Sequence, residues 1–203
     1  EVLRDRLRSR LSELPDADRS AGDALIDALE TTRAEARDGL LATIRDASYV
    51  ELLDAIVAAA RTPRVLEEFA SSPGRKAFAP VLDAPWKHLE TAIDRARHEA
   101  SNEALHNARI RAKRVRYAAE AVAPVFGKAA RKFAKAAADV QDVLGEHQDA
   151  VVAGAWLREA QAGDHAFVAG ELAGFEAEAA GAARAEWPAA WKTLARKKLR
   201  FWA

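Results

Sequence analysis

The chain of 203 residues contains no cysteine. Disulfide frameworks, thiolate catalysis and cysteine-based zinc sites are therefore excluded, and the composition agrees with a reducing compartment. No run of about 18 or more uncharged apolar residues occurs, so nothing reads as a membrane-crossing helix. β-branched alternation bounded by turn residues is missing throughout. No Gly-rich phosphate loop precedes a helix, and neither HExxH nor EF-hand spacing is present. Acids are scarce where the cations cluster, which removes the usual ligands for a metal-activated hydrolase. A non-catalytic protein without cofactor or metal is expected, in the cytosol by default.

What is present has helical period almost everywhere, and half of the residues are apolar, ample for a core. The fold class expected is all-α. Val2, Leu3, Leu7, Leu11 and Leu14 mark a first helix closed by Pro15; further helices are expected over 24–44 and 49–60. Pro63, Ser71, Ser72, Pro73, Gly74 and Pro80 read as a loop holding one short helix, which separates a first half, 1–80, from a second, 81–203. In the second half, helices are expected over 86–100, 103–122 and 127–160, the last kinked at Gly145, then over 167–185 and 191–202. Trp156, Trp187, Trp191, Phe201 and Trp202 are expected to pack rather than to carry chemistry.

The formal net charge is zero, from 31 basic and 31 acidic residues, but the charge is segregated. Residues 103–135 carry +7 and residues 191–203 carry +5, leaving −12 for the remainder. Such segregation suits one focused anion site within discouraging surroundings. In EALHNARIRAKRVRYAAE, residues 103–120, Leu105, Ala108, Ala112, Val115, Ala119 and Val122 form a stripe to be buried. His106, Arg109, Lys113, Arg116 and Tyr117 are expected on the opposite side, a row of roughly 15 Å at 1.5 Å per residue. A merely solvated face usually pairs its charges, whereas Arg109 and Lys113 are like charges four apart.

The following long helix repeats the pattern. Lys128, Arg131, Lys132 and Lys135 share one face, and Ala130, Phe133, Ala137, Val140 and Leu144 the other. Pro124 and Gly127 fit a short connection, so the two helices should run antiparallel as neighbours and aim their rows into one groove. Lys128 also lies beside a helix N-terminus, which favours anions. Gln141 on the apolar side is expected to make a core hydrogen bond. His147 is read as a helix-surface histidine in preference to a metal ligand.

LHNARIRAKRVRYAAE, then GKAARKFAKAAADVQDVLGEHQDAVV and a basic, aromatic end, KTLARKKLRFWA, together resemble the CHAD (conserved histidine α-helical) domain. His106, Arg109, Lys113, Arg114, Arg116 and Tyr117 are similar to its histidine-basic helix, and Lys128, Arg131, Lys135, Leu144, Gly145 and Asp149 to its second signature. The resemblance covers nearly the whole chain, by pattern more than by motif over 1–100. It implies one domain, 1–203, of two antiparallel helical bundles related by a pseudo-repeat, with a basic central groove or channel that binds inorganic polyphosphate. The first half is then N-terminally incomplete, lacking an earlier histidine-basic helix. Binding would rest on Arg109, Lys113, Arg116, Lys128, Arg131 and Lys135, joined by His106, Tyr117, Lys132, Lys198 and Arg200. The resemblance also implies a fused or associated CYTH-type triphosphatase and an address at polyphosphate granules. The rival reading is an adaptor for nucleic acid or phosphorylated partners, disfavoured because stacking platforms are few.

Overall fold

The computed structural model describes residues 1–160 and 165–202, and among these every regular element is helical. They fall into two compact units, Glu1–Ser71 with Ala160–Ala169, and Ser72–Glu159 with Gly170–Ala203.

In the first unit, α1 (Val2–Leu11) and α2 (Asp16–Arg45) form a hairpin around Pro15. Leu7, Leu11, Leu14, Leu25 and Ile26 are buried. Leu11 packs closely over Gly22, where a Cβ would meet Leu11 Cδ2 at 2.1 Å and oblige that side chain to shift. Arg4 and Glu30 pair across the hairpin at 3.2 Å, and Arg33 and Glu1 at 3.2 Å. α3 (Ala47–Arg61) starts on the Asp46 side chain, which accepts from the Ser48 N–H, and buries none of its residues; α4 (Glu67–Ala70) is one turn.

The second unit is built from α5 (Gly74–Glu99), α6 (Asn102–Ala121), α7 (Ala123–Phe126), α8 (Lys128–Glu159), α9 (Ala166–Leu194) from Gly170 onward, and a final 3-10 turn, Lys197–Leu199. α6 starts on Ser101, whose hydroxyl accepts from the Ala104 N–H at 3.1 Å. It packs against α5 on one side and α8 on the other. The turn into α8 runs through Gly127 at φ 64, a left-handed conformation that glycine adopts without a Cβ penalty. The expected stripe on α6 is buried throughout, as are Ala130, Phe133, Ala137, Val140 and Leu144 of α8.

Several helix boundaries differ from expectation: α2 begins at Asp16 rather than at 24, and only a 3-10 turn follows Leu194 where a helix to 202 was expected. α5 begins at Gly74 and runs through Pro80 and Pro85, and α9 runs through Pro188 to Leu194, without a break between 185 and 191. An interior proline costs about 3 kcal/mol. Against that cost stand continuous buried stripes, Leu82, Trp86, Leu89 and Ile93 on α5 and Ala183, Trp187, Trp191 and Leu194 on α9. Trp86 and Trp191 stack at 5.3 Å, and removing each indole from water contributes roughly 4–6 kcal/mol at about 25 cal/mol per Å². Helix continuity aligns those rings, so burial outweighs the local penalty.

Candidate anion-binding surface

The stripe that buries α6 fixes where its cations lie. Arg109 and Arg116 flank the stripe rather than oppose it, because a 100° step per residue sets them just beyond its edge, whereas Lys113 and Tyr117 lie opposite. His106, Arg109 and Arg116 are half-buried, while Lys113 and Tyr117 are exposed. Arg109 lies over Gly145 of α8, where a Cβ would sit 3.4 Å from its Nε, and this Nε is buried with no hydrogen-bond partner. Gly145 therefore serves as the seat of an arginine within an unbroken helix. Arg116 pairs with Glu120 at 3.3 Å, and its guanidinium lies 4.9 Å from the centre of the Tyr117 ring. The Lys113 ammonium lies 5.6 Å from the same ring. His106 Nδ1 and Gln141 Oε1 are also buried without partners, so the core hydrogen bond expected of Gln141 is not made through that oxygen.

The contact of Arg109 with Gly145 and the short α6–α8 connection give the antiparallel register. In that register Lys113 lies level with position 141 and Arg116 with position 138, and Lys128, Arg131 and Lys132 lie at levels beyond the C-terminus of α6. The two rows thus occupy successive levels along the helix pair, and the axial span from the level of Arg109 to Lys128 is roughly 25 Å at 1.5 Å per residue.

Lys128, Arg131, Lys132 and Lys135 are all exposed, and Lys135 pairs with Asp139 at 3.3 Å. Lys128 and Lys132 meet Lys198 in a cavity of about 320 Å³ completed by Ala129 and Leu199. No acidic residue lines it among the described residues. Lys198 reaches this place because the chain end is anchored. Phe201 lies 4.9 Å from Phe126, and Trp202 lies 4.9 Å from Phe133 and 6.2 Å from Trp86. Arg200 turns the other way, its guanidinium 5.8 Å from the Trp86 ring and its Nε buried. The structure thus gathers Lys128, Lys132 and Lys198 in one cavity, and Lys113 and Arg116 on Tyr117. Arg131, Lys135 and Arg200 do not line that cavity.

Two features escaped the sequence. Arg111 and Arg114 line a smaller cavity of about 190 Å³ with His88 and Pro85, on the flank of α6 that faces α5; their place in a dense cationic run was the available signal. His147 is buried, at 1 % exposure, and is not a surface histidine. Among the described residues no group of His, Cys, Asp or Glu could hold a metal ion, and no helix is long and apolar enough to cross a membrane.

The CHAD domain family matches residues 1–158. Two proteins of Mycobacterium tuberculosis, named Uncharacterized protein MT2285 (strain CDC 1551 / Oshkosh) and Uncharacterized protein Rv2226 (strain ATCC 25618 / H37Rv), are each 32% identical over 209 residues. These alignments cover 96% of this chain and 38% of either relative.

Proposed function

Since the chain belongs to the CHAD-domain family, a polyphosphate-binding class, we propose that it binds inorganic polyphosphate without cleaving it, along the cationic strip of α6 and α8. The observation that carries this reading is the cavity where Lys128, Lys132 and Lys198 converge with no acid among its lining residues. Three ammonium groups held together repel one another, and a polyanion relieves that repulsion while releasing its condensed counterions. Ala129, also on the cavity wall, belongs to the first turn of α8, whose N–H groups lack intrahelical acceptors and favour anions. Farther along, Lys113, Arg116 and Arg109 supply a compact charge and two forked donors to successive phosphoryl groups. His106 and Tyr117 add donors that need not be charged, and Arg131 and Lys135 extend the field between the two clusters. Arg200 acts on the tail that positions Lys198.

Catalysis has no place in this reading, since the strip binds phosphate oxygens and, among the described residues, no cluster of His, Asp or Glu could hold a metal ion beside them. A fused or associated CYTH-type triphosphatase and residence at polyphosphate granules are further parts of the proposal, taken from the family resemblance. Nucleic acid is a poorer ligand: Tyr117, the aromatic on the strip, already has two cations near its ring, and Phe133 is fully buried. Titration of long-chain polyphosphate, ATP and single-stranded DNA at two salt concentrations tests the proposal. Tight, salt-sensitive binding of the polymer is expected, well ahead of the other two. Equal affinity for DNA would favour an adaptor, and preference for ATP would rule out a polymer strip.

A further inference from the structure

A second cavity, of about 270 Å³, opens on the other half of α8, walled by His147, Arg158, Asn102, Arg184 and Glu176. Lys132 and His147 are 15 residues apart on α8, so roughly 22 Å separates this cavity from the lysine cavity. Arg184 reaches from α9 to the α5–α6 turn, donating to the carbonyl of Ala100 and to Asn102 Oδ1, with one nitrogen 3.3 Å from His147 Nε2. All three partners are neutral, so among the described residues no hydrogen-bonded carboxylate balances the guanidinium. Facing a donor, Nε2 must accept, which puts the ring proton on Nδ1, itself buried and without a partner. Burial first, and then the Arg184 charge, hold the His147 pKa below its ordinary value, so the ring is neutral.

Arg158 folds back along α8 toward Gly154, where a Cβ would lie 3.6 Å from its guanidinium, and it has no ion-pair partner among the described residues. The lining thus holds two guanidiniums against the single carboxylate of Glu176. Asn102 is the first residue of α6, so the positive end of a helix of 20 residues adds to the same field. A partly buried positive excess of this kind is relieved by an anion, and a volume below the roughly 300 Å³ at which drug-sized sites begin limits that anion to a small one.

We propose that this cavity is a second anion site, distinct from the polymer strip, that takes one compact oxyanion group, phosphoryl or carboxylate, on Arg184 and Arg158. The inference does not depend on polyphosphate binding.

The His147 ring reports occupancy, and its NMR resonances can be followed while orthophosphate and, separately, acetate are titrated at ionic strength held constant with chloride. A saturable shift is expected, and the anion that produces it names the group. Gly181 lines the cavity and a Cβ there meets nothing within 4 Å, so the side chain of Gly181→Leu starts from open space and occupies part of the cavity. That variant should weaken the small anion at least tenfold and leave polyphosphate affinity unchanged. Arg184→Gln should do the same; should it fail to fold by circular dichroism, Gly181→Leu decides alone. No saturable shift with either anion, or an undiminished shift in Gly181→Leu, overturns the proposal, whatever the polymer titration shows.

Discussion

Replacing Lys128, Lys132 and Lys198 together by alanine empties one cavity of its charge and leaves the aromatic core untouched, since all three side chains are exposed. An exposed ion contact contributes up to about 1 kcal/mol. Three of them set the loss at about 3 kcal/mol, or roughly a hundredfold in Kd at low salt. The salt dependence is more diagnostic. By analogy with single-stranded nucleic acid, each neutralised phosphate contributes about 0.7 to the slope of log K against log salt, so the variant should lose about 2 units of slope. Between about 50 and about 200 mM salt the native chain should therefore weaken roughly 15-fold more than the variant. Fluorescence anisotropy of end-labelled polyphosphate measures both quantities. The control removes the same net charge from exposed positions of the first unit, Arg37, Arg45 and Arg61, which lie on α2 and α3. Equal slopes in variant and control would refute the claim that these lysines contact the polymer, because a general charge effect would act alike in both.

Gly145→Ala places a methyl at ordinary contact distance from Arg109 and should change stability little, whereas Gly145→Leu displaces the guanidinium, costs about 1–3 kcal/mol in urea unfolding and weakens polymer binding. Gly127→Ala forces a Cβ into φ 64 and should cost about 1–2 kcal/mol by the same assay, with the polymer Kd unchanged at temperatures where the fold is intact. His147 titrates below its ordinary value when folded, so the unfolded chain binds the proton first as pH falls. Its stabilising contribution is therefore complete above about pH 6.5 and is lost as pH falls through the folded pKa. Urea midpoints against pH should show this slope in the native chain and not in His147→Gln.

The buried stripes of α6 and of the first half of α8 were legible in the sequence because one neighbouring face fixes them, and a 3.6-residue period then repeats without interruption. His147 was not, because the buried side of α8 changes along its length. In its first half Phe133, Val140 and Leu144 face inward; in its second, Ala150, Ala153, Gly154 and Leu157 do, beside Arg184 and Glu176 of α9. The breaks expected before residue 86 and between 185 and 191 failed for a related reason: helix propensity is local, whereas the stacking of Trp86 on Trp191 that outweighs it joins residues far apart in the chain. The candidate cations of α6 and α8 were legible as charge on two helices. That Lys198 joins Lys128 and Lys132 was not, since Phe201 and Trp202 bring it there through contacts that no periodicity records.

The two parts of the strip differ in what binding must order, and this bears on which ligand they suit. Immobilising a long cationic side chain costs about 1.5–2 kcal/mol of rotamer freedom. Arg109 on Gly145, and Arg116 between Glu120 and Tyr117, are already held, so much of that cost is met on folding. Lys128, Lys132 and Lys198 project from an exposed cavity wall and must be ordered by the ligand, so their attraction acts mainly through charge. On the proposed reading a flexible phosphate chain would satisfy both parts, because its charge would draw it to the lysines and successive phosphoryl oxygens could adjust to the fixed forks of Arg109 and Arg116. A rigid duplex could not bend to both clusters without a deformation cost, and a single strand would need an open aromatic face where Tyr117 is already engaged by cations.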